Sequence, residues 1–145
     1  MKNTLFVAFK GKNNSSAILL DSLPGEHCLL TNSYAGLKHD IDGLGREYDE
    51  VYLFGAAKEL TDSFRIEKTA EKDGKKLTSK LDLDKIGKRL SEAGIKSRIS
   101  ERATHYLCNE AYWYLLEKYK GRAVLIHIPA IKHFYDIIAL RQEGK

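Results

Sequence analysis

At 145 residues the chain suits a single domain spanning 1–145, long enough to bury a sizeable core without disulfide or metal staples. Its 43% hydrophobic and 30% charged residues are those of a globular protein, which excludes a disordered chain. The net charge of +4 comes from 24 basic residues interspersed with 20 acidic ones, so no concentrated basic surface argues for nucleic acid as a partner.

The first strand is expected at Thr4 to Phe9 (TLFVAF), a short apolar run ended by Gly11. Asn and Ser caps in NNSS then lead into a helix over Ala17 to Leu23, closed by Pro24-Gly25. Glu26 to Asn32 reads as a second strand. Leu37, Ile41 and Leu44 stand at helical spacing before EVYLFG, a third strand ending at Gly55. Ser63 to Thr69 alternates as a strand at or near an edge, and the charged run Glu71 to Lys80 reads as a solvated loop. From Asp82, Leu83, Ile86, Leu90 and Ala93 share one helical face with Gly94 as the stop. A strand near Ser97 to Ser100, an aromatic helix over Leu107 to Tyr119, an apolar strand over Ala123 to Ile128 and a last helix over Ile131 to Gln142 complete the pattern. Strands alternating with helices predict a three-layer α/β/α sandwich with a mostly parallel sheet.

Two residues interrupt this pattern with chemistry. Cys108 falls where a helix begins, and free N–H groups and the helix dipole at that end stabilise a thiolate and can bind an oxyanion. His127 interrupts an apolar strand near its carboxyl end, where α/β folds carry functional groups. If these consecutive elements are neighbours, thiol and imidazole form a Cys-His pair, the imidazole removing the thiol proton and returning it to a leaving amine. Glu67, at the end of another strand, is the candidate carboxylate to orient the imidazole. Taken singly, each has a plainer explanation: a packed cysteine, a hydrogen-bonded strand histidine, a solvated glutamate.

Three segments settle the weighting. YLCN at Tyr106 to Asn109, LIHIP at Leu125 to Pro129 and FRIEKTA at Phe64 to Ala70 resemble the cysteine, histidine and glutamate segments of the pyroglutamyl-peptidase (pyrrolidone-carboxylate-peptidase) family, in that family's chain order of Glu, Cys, His. GAAKELTDSFRIE, EAGIKSRIS and the F-x-G…N-x-S stretch at Phe9 to Ser16 extend the resemblance over most of the chain. The resemblance implies a cofactor-free, metal-free cysteine peptidase with Cys108, His127 and Glu67 as its triad, acting on an N-terminal 5-oxoprolyl group. It further implies that Phe9, Asn14 and Asn109 border the peptide or small amide substrate, and that the chain forms a homo-oligomer.

The chain departs from the family in its loops. FKGKNNSS lacks a Pro-Phe-Gly-Gly segment, Lys68 stands for an arginine and Thr104 for a glycine, and no Asn-Arg segment follows Glu67. Because loops carry binding and the sheet carries the triad, these losses predict a changed substrate more than a changed reaction. The alternatives are an amidase for another small substrate, or a catalytically silent relative that binds a partner. Among the remaining residues, Cys28 beside His27 reads as core packing, since strand neighbours face opposite sides and ligate one metal poorly. Tyr112, Trp113, Tyr114 and Tyr119 read as packing or a subunit contact and not as a base-stacking platform. Distant cysteines without Cys-x-x-Cys spacing, and an opening apolar segment too short for a signal peptide or membrane span, lead to the expectation of a cytoplasmic protein with free thiols.

Overall fold

The computed structural model describes residues 3–11 and 14–130. Its first half runs β1 (Thr4–Phe9), α1 (Ser15–Ser22), β2 (Glu26–Leu30), α2 (Tyr34–Asp42), β3 (Glu50–Ala57) and β4 (Ser63–Glu67). The second runs β5 (Thr69–Lys72), β6 (Lys75–Thr78), α3 (Leu83–Glu92), β7 (Lys96–Ser100), α4 (Tyr106–Lys118) and β8 (Ala123–Pro129). The helix expected over Ile131 to Gln142 lies outside the described residues.

Six strands form one sheet in the order β2-β1-β3-β8-β4-β7. Every neighbouring pair is parallel except β4 with β8, so β4 and β7 run against the other four. Period-two alternation sends each strand's side chains to two apolar cores. One core joins Leu5, Val7, Leu53 and Leu125 to Leu37 and Ile41 of α2 and to Tyr112, Leu115 and Leu116 of α4. The other joins Phe54, Ile66, Ile126 and Ile128 to Leu20 of α1 and to Leu83 and Ile86 of α3. The result is the expected three-layer α/β/α arrangement with a mostly parallel sheet.

The caps account for the helix starts. Asn14, Ser33 and Asp82 each accept a backbone N–H of the following turn, at Ser16, Gly36 and Lys85. The last of these opens α3, where Leu83 and Ile86 are buried as the helical spacing requires.

The stretch expected as a solvated loop after Glu67 is instead the β5–β6 hairpin. Asp73 and Gly74, at φ of 53° and 75°, form its two-residue turn, and Asp-Gly is the dipeptide such a turn favours. The hairpin packs on α4 through Asn109, whose side chain accepts from Glu71 N (3.0 Å) and donates to Glu71 O (2.7 Å). Its charged residues led to the loop reading. Ala70, fully buried, is what anchors it.

Candidate active site

The sheet's register builds the site from one transverse row. Gly55 of β3 pairs with His127 of β8, His127 with Arg65 of β4, and Arg65 with Arg98 of β7. Glu67, two residues after Arg65, shares its face of the strand. Above this row lies the N-terminal turn of α4, which carries Cys108.

Gly55 leaves the space in which thiol and imidazole converge. A Cβ at this position would sit 2.7 Å from Cys108 Sγ and 3.3 Å from His127 Nε2, so both reacting atoms border one point and only glycine fits beneath them. On the far side of the ring, His127 Nδ1–H donates to Glu67 Oε2 at 2.7 Å. That bond selects the tautomer with a bare Nε2, the form able to accept the thiol proton. His127 and Glu67 are both buried, the glutamate fully.

Two ties hold α4 over the row. Tyr112 donates its hydroxyl to the Glu67 carbonyl at 2.7 Å, and Asn109 makes its pair of bonds to Glu71. Positions one and four beyond the cysteine therefore anchor it to the strands that carry the carboxylate. The helix start differs from the other three: His105 occupies the N-cap position without a side-chain cap bond, and Tyr106 follows in the left-handed region at φ 69°. Its first N–H groups have no side-chain acceptor from the cap residue and are available to an anion.

Arg65 is the member that sequence reasoning missed. Its Nε donates to Glu67 Oε2 at 2.5 Å, its Nη1 donates to Glu59 Oε1 at 3.0 Å, and its Nη2 stands 3.4 Å from His127 Nδ1. Burial pulls the guanidinium down, but the two carboxylates outweigh it and hold its pKa above the usual value. Glu59 is held below the usual carboxylate range by a backbone N–H and by Arg65. Glu67 Oε1 has no partner among the described residues. The available signal was the alternation in FRIE, which sets arginine and glutamate side by side on a buried face. Gly55 also went unnoticed as a site residue, because its role depends on a strand distant in sequence.

Burial and, after it, the Glu67 carboxylate push the Cys108 thiol up to about 11. The helix end acts in the opposite direction. At neutral pH the thiol therefore rests protonated, and its proton must leave for the sulfur to become a nucleophile.

Cys108, His127, Glu67 and Arg65 stand in the wall of a cleft of about 950 Å³, with Lys58, Arg98 and Arg102 among its lining. Phe9, Asn14 and Asn109 are not among the lining residues. Phe9 is buried in the core, Asn14 caps α1 and donates to Phe9 O, and both ends of the Asn109 amide are taken by Glu71. The aromatic residues expected to pack do so: Tyr112 and Trp113 of α4 and Tyr119 at its C-cap are buried, while half-buried Tyr114 lies under Lys38 and Lys72. Cys28 is half-buried, its thiol also raised by burial and by Asp40. Among the described residues no group of His, Cys, Asp and Glu converges as a metal site, and no helix is long and apolar enough to cross a membrane.

The fold has counterparts among solved structures. The pyrrolidone carboxyl peptidase of Thermus thermophilus superposes with a TM-score of 0.72 at 19% identity, over 98% of this chain and 100% of that one. The fold is that of the pyrrolidone carboxyl peptidases. The Fervidobacterium islandicum AW-1 enzyme gives 0.71 at 15% identity over 99% and 98% of the two chains, and Bacillus amyloliquefaciens pyroglutamyl peptidase I gives 0.72 at 15% over 97% and 95%. No protein-family model matches the chain, and no curated protein matches it in sequence. At these identities the likeness is one of fold.

Proposed function

We propose that this protein is a cysteine peptidase or amidase of pyroglutamyl-peptidase type, with Cys108 as nucleophile, His127 as general base and acid, and Glu67 as the carboxylate that orients the imidazole. The observation that carries the reading is the meeting of Cys108 Sγ and His127 Nε2 over Gly55, with Glu67 bonded to the other ring nitrogen. Nε2 takes the thiol proton as sulfur attacks the carbonyl carbon of an acyl amide. The oxyanion forms beside the uncapped N–H groups of α4. His127 then gives its proton to the departing amine, and water, deprotonated by the same nitrogen, releases the acyl group from sulfur. An N-terminal 5-oxoprolyl peptide is the first substrate to test, and the same reading makes the protein cytoplasmic and, by the resemblance, an oligomer.

A second reading, a catalytically silent relative, has its own observation: Arg65 occupies the same Glu67 oxygen that bonds His127, and the thiol is pushed up to about 11. Turnover of a fluorogenic 5-oxoprolyl amide by wild type and Cys108→Ser separates the two. Cleavage lost in the variant is the expected result. No cleavage of this or any related acyl amide would favour the silent relative.

A further inference from the structure

The cleft wall carries more charge than a neutral acyl amide requires. Four cations line it, Lys58, Arg65, Arg98 and Arg102, against the carboxylates Glu59 and Glu67. Both carboxylates already bond Arg65. Arg98 stands directly opposite Arg65 on the neighbouring strand, a like-charge pairing that destabilises a sheet unless something offsets it. Neither Arg98 nor Arg102 has an ion pair or side-chain hydrogen bond among the described residues, and Glu101, next to Arg102 in sequence, turns to Lys68 at 3.3 Å instead. Some basic side chains elsewhere have acidic partners, as Lys38 with Asp42, Arg46 with Glu26, Lys72 with Glu110 and Arg122 with Glu47, and others have none, so the feature particular to the cleft is the gathering of four cations in one concave wall.

We infer that the cleft recognises acyl amides carrying a carboxylate near the scissile bond, with Arg98 and Arg102 as the residues that bind it. The inference rests on the amidase reading for the bond that is cut, while the charge recognition stands on the cleft itself. Guanidinium forks suit carboxylates because they bond both oxygens at once, and a concave wall concentrates the field of like charges within it. Arg98 lies two strands from His127, about 10 Å at the usual strand spacing, which suits a charge several bonds from the reacting carbon. The carboxylate can belong to the acyl part or to the departing amine, and the probes below distinguish these sources.

The test is an NMR titration of the full-length Cys108→Ser protein with two pairs of small amides. Glutaramic acid carries its charge on the acyl side and N-acetylglycine on the amine side; glutaramide and N-acetylglycinamide are their neutral counterparts. At least one acid is expected to bind about tenfold more tightly than its neutral partner, with that advantage reduced by added salt and by Arg98→Gln or Arg102→Gln. Equal binding of acid and amide in both pairs overturns the inference, as does an acid preference untouched by both substitutions. Turnover of matching substrates by wild type separates this from the amidase reading: acid preference without any turnover leaves the inference standing and defeats the amidase, and turnover indifferent to charge does the opposite.

Discussion

The same strands present two unlike faces. Toward α1 and α3, β3, β4 and β8 show Phe54, Phe64, Ile66, Ile126 and Ile128, all packed in one apolar core. Toward α4 the face is divided: Leu53 and Leu125 pack with Tyr112, Leu115 and Leu116, while nearer Cys108 the positions Gly55, Arg65, Glu67 and His127 replace that packing with a missing side chain and three bonded polar groups. The first face is stabilised throughout by removing apolar area from water, whereas this patch of the second depends on mutual satisfaction of charges that burial penalises. The two faces should therefore respond to substitution through different observables, stability on one side and turnover on the other.

The largest expected effect lies on the polar face. Cys108→Ser should reduce acyl-amide turnover by about 10⁴-fold or more while the melting temperature stays close to wild type; a variant that keeps its turnover would remove the nucleophile from the scheme. On the apolar face, Ile126→Ala should cost about 2–5 kcal/mol in denaturant unfolding, since the residue is buried between two helices and a cavity would remain. Gly55→Ala should follow the polar side of that division. Its methyl group would fall 2.7 Å from Cys108 Sγ, so kcat should drop by about 10²-fold through misplacement of the thiol, with a smaller change in stability.

Two smaller effects sharpen the contrast. Because the Cys108 pKa is raised from 9.0 to about 11, the fold favours the protonated thiol. The associated stability is fully present below pH 9 and is lost as pH rises toward 11, at a slope approaching 1.4 kcal/mol per pH unit, which Cys108→Ser should remove from the pH dependence of unfolding. Alkylation by iodoacetamide should accordingly climb toward pH 11 in the folded protein; a plateau already reached at neutral pH would mean a preformed thiolate and overturn the protonated resting thiol. The smallest change is expected at the hairpin turn, where Gly74→Ala should cost about 1 kcal/mol in thermal unfolding because φ is +75° there.

How far the sequence carried depended on the range of the interaction. β1 was legible to the residue, and α3 was legible from its cap and its apolar spacing, since both signals lie within a few positions. The arginine paired with Glu67 was equally local, two residues away, yet the eye followed the carboxylate and passed over the cation. The hairpin failed for a different reason: its charge suggested solvent, whereas Ala70 and Asn109 tie it to α4 through contacts 38 residues apart, as between Glu71 and Asn109. Convergence of Cys108, His127 and Glu67 over Gly55 depended on register, and the antiparallel pairing of β4 with β8 has no signature in either strand alone. Phe9, Asn14 and Asn109 came from motif likeness, and none of the three is among the described residues that line the cleft.

All of the described residues that line the cleft fall between Ala56 and His127. The described residues of the opening third, with β1, α1, β2 and α2, extend the sheet and fill its cores without lining the cleft. On the proposed function, heritable variation there would tune melting temperature and surface composition more than selectivity. Selection for a new substrate would act on the described cleft residues within one continuous stretch of roughly half the chain.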